Sequence, residues 1–106
     1  MTNNKLQFNT RAVHVGNEAD NETGAVIAPI YATSTFQQEA VGVHKGYDYS
    51  RAGNPTQKRF EDNIASLENG KYGISFSSGM AAITALFQML RKGDHVIFGR
   101  NAYGGT

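Results

Sequence analysis

The chain has no cysteine, which excludes a disulfide framework, a thiolate metal site and a cysteine nucleophile. Charge of one sign is also lacking. Ten Lys and Arg stand against nine Asp and Glu, a net +1, with no block of like charges and no basic stripe. Nothing there points to nucleic acid or to a membrane surface. No apolar run approaches a membrane span. The start, Met1-Thr2-Asn3-Asn4-Lys5, is polar and no apolar stretch follows it, so a secretory leader is not expected and a soluble cytoplasmic protein is the default. Internal repeats and low-complexity segments are absent too. Glycine is abundant, at 12 residues of 106, which means many turns and close backbone approaches rather than one smooth bundle. The length allows one small domain with a modest core.

Two regions are expected, 1–53 and 54–106. The first has little helical periodicity, and Ala25-Val26-Ile27-Ala28-Pro29-Ile30-Tyr31 reads as an extended segment or edge because Pro29 removes a donor. Some 50 residues without a clear element are unusual in a compact domain, so 1–53 is expected to be an extended arm that packs on something else, such as a second subunit. In the second region Asn54 suits an N-cap, Pro55 the first helical position and Gly70 the C′ position. Phe60, Ile64 and Leu67 form one apolar stripe. Tyr72–Phe76 reads as a strand, Met80–Leu90 as a buried helix ended by Gly93, and His95–Phe98 as a second strand. The order helix-strand-helix-strand predicts an α/β chain with a right-handed parallel crossover. Two parallel strands with one crossover do not make a stable sheet. The chain is therefore expected to be the N-terminal part of a longer protein.

Three places have residue types that carry chemistry. In Tyr49-Ser50-Arg51-Ala52-Gly53-Asn54-Pro55-Thr56, a phenol and a guanidinium two residues apart share a face if the segment is extended, and the pair suits a phosphate or carboxylate. An ordinary loop with Arg51 solvated is the other reading. In Ser77-Ser78-Gly79-Met80, the free N–H groups of a helix start make an anion site, or Ser78 is only a cap. Tyr103, between a strand end and Gly104-Gly105, is either a displayed ring able to stack or give a proton, or an ordinary tyrosine. His14, His44 and His95 do not form a ligand spacing. Lys45, Lys58, Lys71 and Lys92 lie in loops or at helix ends, unlike a desolvated Schiff-base lysine.

Taken together, the chain from about Thr10 to Thr106 resembles the Cys/Met-metabolism family of pyridoxal-phosphate (PLP) enzymes, which includes cystathionine γ-synthase and the cystathionine γ- and β-lyases. The resemblance rests on Ile27-Ala28-Pro29-Ile30-Tyr31 with Thr33-Ser34-Thr35-Phe36, Tyr49 to Thr56, Ser78-Gly79-Met80-Ala81-Ala82 and Tyr103-Gly104-Gly105-Thr106. It implies the N-terminal part of an aspartate aminotransferase-like, type I fold, with PLP as cofactor and an amino acid as substrate. Gly79 and Met80 would offer N–H groups to the PLP phosphate. Tyr49 and Arg51 would bind the phosphate of PLP held by the neighbouring subunit. Tyr103 would stack on the pyridine ring and assist proton transfer. Asp48 would face the distal end of the partner's substrate, or is simply solvated. The resemblance implies a homo-oligomer, a dimer of shared sites assembled into a tetramer, acting by γ-elimination or γ-replacement in transsulfuration. It places the Schiff-base lysine beyond Thr106, so the 106 residues alone are expected to be inactive. The alternative is a non-catalytic fragment that binds a full-length partner.

Overall fold

A computed structural model describes residues 6–106; Met1–Lys5, the polar start in which no leader is expected, lie outside the described residues. Three helices occur in order: α1, Phe8–His14; α2, Pro55–Leu67; and α3, Gly79–Phe87. The chain divides into two compact units, one ending at Ile74 and one running from Ser75 to Thr106.

The first unit is organised by α2. Asn54 is extended (φ −140°) and its Oδ1 accepts from the Thr56 N–H at 2.8 Å, with Pro55 at the first helical position. This satisfies one of the donors that every helix start leaves open. At the other end the expected C′ glycine is displaced by one residue. Asn69 takes the left-handed conformation (φ 54°), donating to Ser66 O at 3.3 Å, while Gly70 donates to Ala65 O at 2.8 Å. That is a Schellman end with asparagine at C′, a position Asn tolerates. Lys58 and Asp62 pair one turn apart on the exposed face.

The arm is not wholly extended, because α1 lies within it. Its signals in sequence are weak: seven residues, no side-chain cap at Gln7 and no acid in the first turn. Tertiary contacts hold it instead. Asn63 Nδ2 on α2 donates to the carbonyls of Arg11 (3.2 Å), Ala12 (3.2 Å) and Val15 (2.8 Å) at the end of α1, where helix carbonyls run short of intrahelical donors. Arg11 reaches back to the Ser66 carbonyl and to Asn69 Oδ1. Val15 and Ala65 are buried in this contact, whereas Phe60 and Ile64 of the expected stripe are exposed. α2 thus meets α1 through polar side chains and a small residue. Buried Asp20 closes a turn beyond α1, accepting from the Thr23 N–H at 2.9 Å and the Thr23 hydroxyl at 2.7 Å. These bonds, the hydroxyl's first, hold its carboxyl below the ordinary value of 3.8.

Past Asp20 the arm is mostly irregular. Thr35 and Tyr49 form an antiparallel bridge, flanked by Phe36 N–H to Asp48 O and Ser50 N–H to Ser34 O, both 2.8 Å. The excursion between them packs Phe36 on Tyr47, ring centroids 5.6 Å apart. Val26, Ile27 and Ile30 stand 81%, 84% and 83% exposed.

The second unit corrects two expectations. Tyr72–Phe76, which crosses into it, and His95–Phe98 are not strands, and no strand occurs among the described residues. The reason is the one the sequence already carries: a strand exists by ladder pairing and face burial, and Ile74, Phe76, Val96, Ile97 and Phe98 are all exposed. The helix expected over Met80–Leu90 ends at Phe87 and has no buried residue. Met89 and Leu90 continue it as tight turns, donating to Leu86 O (3.1 Å) and Phe87 O (3.0 Å). Its apolar cover is partial, with Phe87 and Phe98 rings 6.3 Å apart. Among the described residues no helix is long and apolar enough to cross a membrane.

Candidate cofactor-binding site

The Tyr49–Arg51 pair converges, though not by extended alternation. The bridge to Thr35 fixes Tyr49, and then the chain turns: the N–H groups of Ala52 and Gly53 both donate to Tyr49 O, at 2.9 and 3.0 Å. The turn carries the guanidinium of Arg51 back over the Tyr49 ring, with Cζ 4.2 Å from the centroid. Tyr49 is half-buried and Arg51 is exposed. A cation over a ring face is attracted by the ring's quadrupole, and the stack leaves the edge of the guanidinium, with its donors, toward solvent. Asp48 Oδ1 accepts from the Tyr49 N–H at 2.8 Å, so its carboxylate steadies the backbone that carries the ring. Asp48 also borders an open cleft of about 590 Å³, lined as well by Tyr47, Gly53, Asn54 and Lys58.

A polar network unforeseen in the sequence holds this loop. Ser50 donates its hydroxyl to Thr33 O and accepts from Asn54 Nδ2 at 3.0 Å, and Asn54 Nδ2 also donates to Tyr31 O at 3.1 Å. The sequence signal for it is Asn54 as a cap. A carboxamide at that position has donors to spare beyond the capping oxygen.

In the second unit, Ser78 Oγ caps α3 by accepting from Ala81 N–H at 3.1 Å, so the capping reading of Ser78 holds. The N–H groups of Gly79 and Met80 have no hydrogen-bond partner among the described residues. A Cβ built on Gly79 would meet nothing within 4 Å. The helix start is thus open to an anion. Tyr103 lies on a turn closed by Thr106 N–H to Tyr103 O at 2.9 Å, and Thr106 Oγ1 lies 3.6 Å from Met80 Sδ. The structure so ties the Tyr103 turn to the first turn of α3. Tyr49, Arg51 and Asp48 form one group in the first unit, and Gly79, Met80 and Tyr103 another in the second.

The other candidates stay minor. His44 Nδ1 accepts from Gly46 N–H at 3.1 Å, and no cluster of three His, Cys, Asp or Glu that could hold a metal occurs among the described residues. Lys45, Lys58, Lys71 and Lys92 are all exposed.

Comparison with known proteins gives a consistent answer. Residues 9–106 match the family model for Cys/Met metabolism PLP-dependent enzymes. A probable cystathionine gamma-synthase from Herpetosiphon aurantiacus is 52% identical over 99 residues, 93% of this chain and 31% of that protein. A cystathionine gamma-lyase from Dictyostelium discoideum is 50% identical over 104 residues, 97% of this chain and 27% of that protein. The crystal structure of metB from Corynebacterium glutamicum superposes with a TM-score of 0.90 at 47% identity, covering 99% of this chain and 28% of that one. The chain spans roughly three-tenths of the length of these relatives. Its solved neighbours include cystathionine gamma-lyases from Lactobacillus plantarum and yeast and a methionine gamma lyase from Micromonospora echinospora, in keeping with an α/β, aminotransferase-like fold. The chain belongs to the Cys/Met-metabolism family of PLP-dependent enzymes.

Proposed function

We propose that the chain is the N-terminal segment of a transsulfuration enzyme acting by γ-elimination or γ-replacement on sulfur amino acids, with cystathionine made or cleaved. The observation that carries the reading is the Arg51 guanidinium stacked on Tyr49 at 4.2 Å, a planar donor set presented outward for a phosphate. PLP, when bound, supplies the electron sink for carbanions on the amino acid. The residues present fit its phosphate: the open start of α3 offers the N–H groups of Gly79 and Met80 with no Cβ at Gly79 to obstruct approach.

Each residue then has a task. Gly79 and Met80 bind the phosphate held by their own subunit. Tyr49 and Arg51 bind the phosphate held by the neighbouring subunit. Tyr103 stacks on the cofactor ring and moves a proton at its phenol oxygen. Asp48 faces the distal end of the neighbour's substrate. The exposed Val26, Ile27 and Ile30 become buried as the arm crosses to that neighbour, in a homo-oligomer of dimers, a tetramer. Because the described lysines are all exposed, none is the desolvated lysine this chemistry needs, and the 106 residues alone are without activity.

Subunit mixing tests the shared site in an enzyme carrying this segment. Arg51→Ala and Tyr103→Phe are each close to inactive when assembled alone. Random mixing puts half the dimers in hybrid form, each with one intact site, and restores about a quarter of wild-type activity. No recovery on mixing would place both residues in one subunit's site and sink the arm exchange. A second reading, a non-catalytic segment that binds a full-length partner, draws on the same exposed arm. Capture of that partner with residues 1–53 and not without them, by a chain that adds nothing to its activity, would favour it.

A further inference from the structure

We propose that Gly105 is a positioning residue for Tyr103, its missing side chain setting the direction in which the Tyr103 ring is presented. The ring folds back over its own turn. A Cβ built on Gly105 would lie 2.5 Å from Tyr103 Cε1, 3.2 Å from Cδ1 and 3.3 Å from Cζ. Carbon atoms do not approach so closely without displacement, so the observed ring position exists only with glycine there. Little else holds the ring. Tyr103 is 74% exposed, and among the described residues its ring stacks on no other ring or cation and its phenol makes no hydrogen bond.

Two features separate this role from a general need for glycine in a turn. The backbone at Gly105 lies outside the left-handed region, so alanine is allowed there and the ring alone must give way. The turn itself is anchored independently through Thr106, to Tyr103 O and to Met80 Sδ. A ring expelled by the methyl group of Gly105→Ala therefore swings on a turn that stays in place. The use of this positioning, aiming the ring at the cofactor, rests on the function proposed above.

The experiment is NMR of the full chain with labelled tyrosine rings and glycine α-carbons, without cofactor. The wild type should show a cross-peak between the Gly105 α-protons and the Tyr103 ring protons. Gly105→Ala should move the Tyr103 ring shifts toward free-tyrosine values while the Ala81 amide of α3 keeps its shift. Absence of the wild-type cross-peak overturns the proposal, which guards against a Gly105→Ala chain that fails to fold. Tyr103 ring shifts that stay unchanged in a folded Gly105→Ala chain overturn it too. Titration with PLP then addresses the underlying reading separately. If the Gly79 and Met80 amides move and the Tyr103 ring does not, Tyr103 is not the stacking residue, while its dependence on Gly105 stands.

Discussion

The side chain of Asn54 joins Tyr31 to the start of α2: Nδ2 donates to the Tyr31 carbonyl at 3.1 Å while Oδ1 caps the helix at Thr56 N–H, 2.8 Å. Thr56 completes the tie, its Oγ1 accepting from Tyr31 N–H at 2.9 Å. The two functions of Asn54 separate by substitution. Asn54→Ala loses the cap and the tether, and about 2 kcal/mol of stability is expected to go, the cap and the part-buried tether contributing ~1 kcal/mol each. Asn54→Asp keeps the capping oxygen and loses the donor, so it should fall between Ala and wild type. Urea unfolding midpoints at constant slope decide it. A wild-type midpoint for Asn54→Asp would show that the Tyr31 tether contributes nothing.

Gly16 (φ 77°), two residues past the end of α1, lies close against the backbone of α2. A Cβ there would run into the Arg59 carbonyl oxygen, with the carbonyl carbon at 3.0 Å and the Cα at 3.3 Å. Gly24 has nearly the same φ, 73°, but open space around it. Gly24→Ala should therefore lose only the conformational term, ~1 kcal/mol. Gly16→Ala adds a backbone collision that no rotamer relieves, and should lose at least ~2 kcal/mol more as α1 is pushed off α2. Equal losses in thermal unfolding would mean that α1 does not rest on α2 as described.

What is legible in the sequence is local. Asn54 and Pro55 announce the start of α2 because a cap and a fixed φ act within three residues. Ser78 announces α3 in the same way. The end of α2 differs by one residue from its expected place because Asn69 takes the left-handed position that Gly70 is suited to fill. α1 escapes a sequence reading because what holds it is Asn63, about 50 positions away, and no pattern within seven residues encodes that. The expected strands at 72–76 and 95–98 rest on composition, but a ladder needs neighbours as well as suitable residues. In the candidate site, the convergence of Tyr49 and Arg51 is legible, while the turn that joins them, closed on the Tyr49 carbonyl, is not.

Asp20 links stability to pH. Its Thr23 bonds act on the ionised carboxylate and lower its folded pKa beneath 3.8. The unfolded chain then binds the proton more readily, so stability rises with pH through this window. The contribution is fully present above the unfolded value and is lost as pH falls through the folded one. Asp20→Asn retains an acceptor for Thr23 and cannot titrate. The acid limb of the unfolding midpoint, followed below pH 5, should be shallower in Asp20→Asn than in the wild type. Identical limbs would mean that Asp20 is not stabilised in its charged form.

The Arg51–Tyr49 stack predicts an order among substitutions for retention of PLP in an enzyme carrying this segment. Arg51→Ala removes the charge and the donors and should weaken retention by roughly 10- to 100-fold, the usual scale for a charge-assisted bond. Arg51→Lys keeps the charge but neither the planar fork nor the stacked face, so about tenfold is expected. Tyr49→Phe keeps the ring under the guanidinium and loses only a neutral hydroxyl, which should weaken retention by no more than a few-fold. Tyr49→Ala removes the ring that holds Arg51 at 4.2 Å and should exceed Tyr49→Phe. Its effect should also shrink when Arg51 is already Ala, because the two losses overlap. Equilibrium dialysis of the cofactor against each variant measures the series. Additive effects of Tyr49→Ala and Arg51→Ala would show two independent contacts, and the stack would then have no part in orienting the guanidinium.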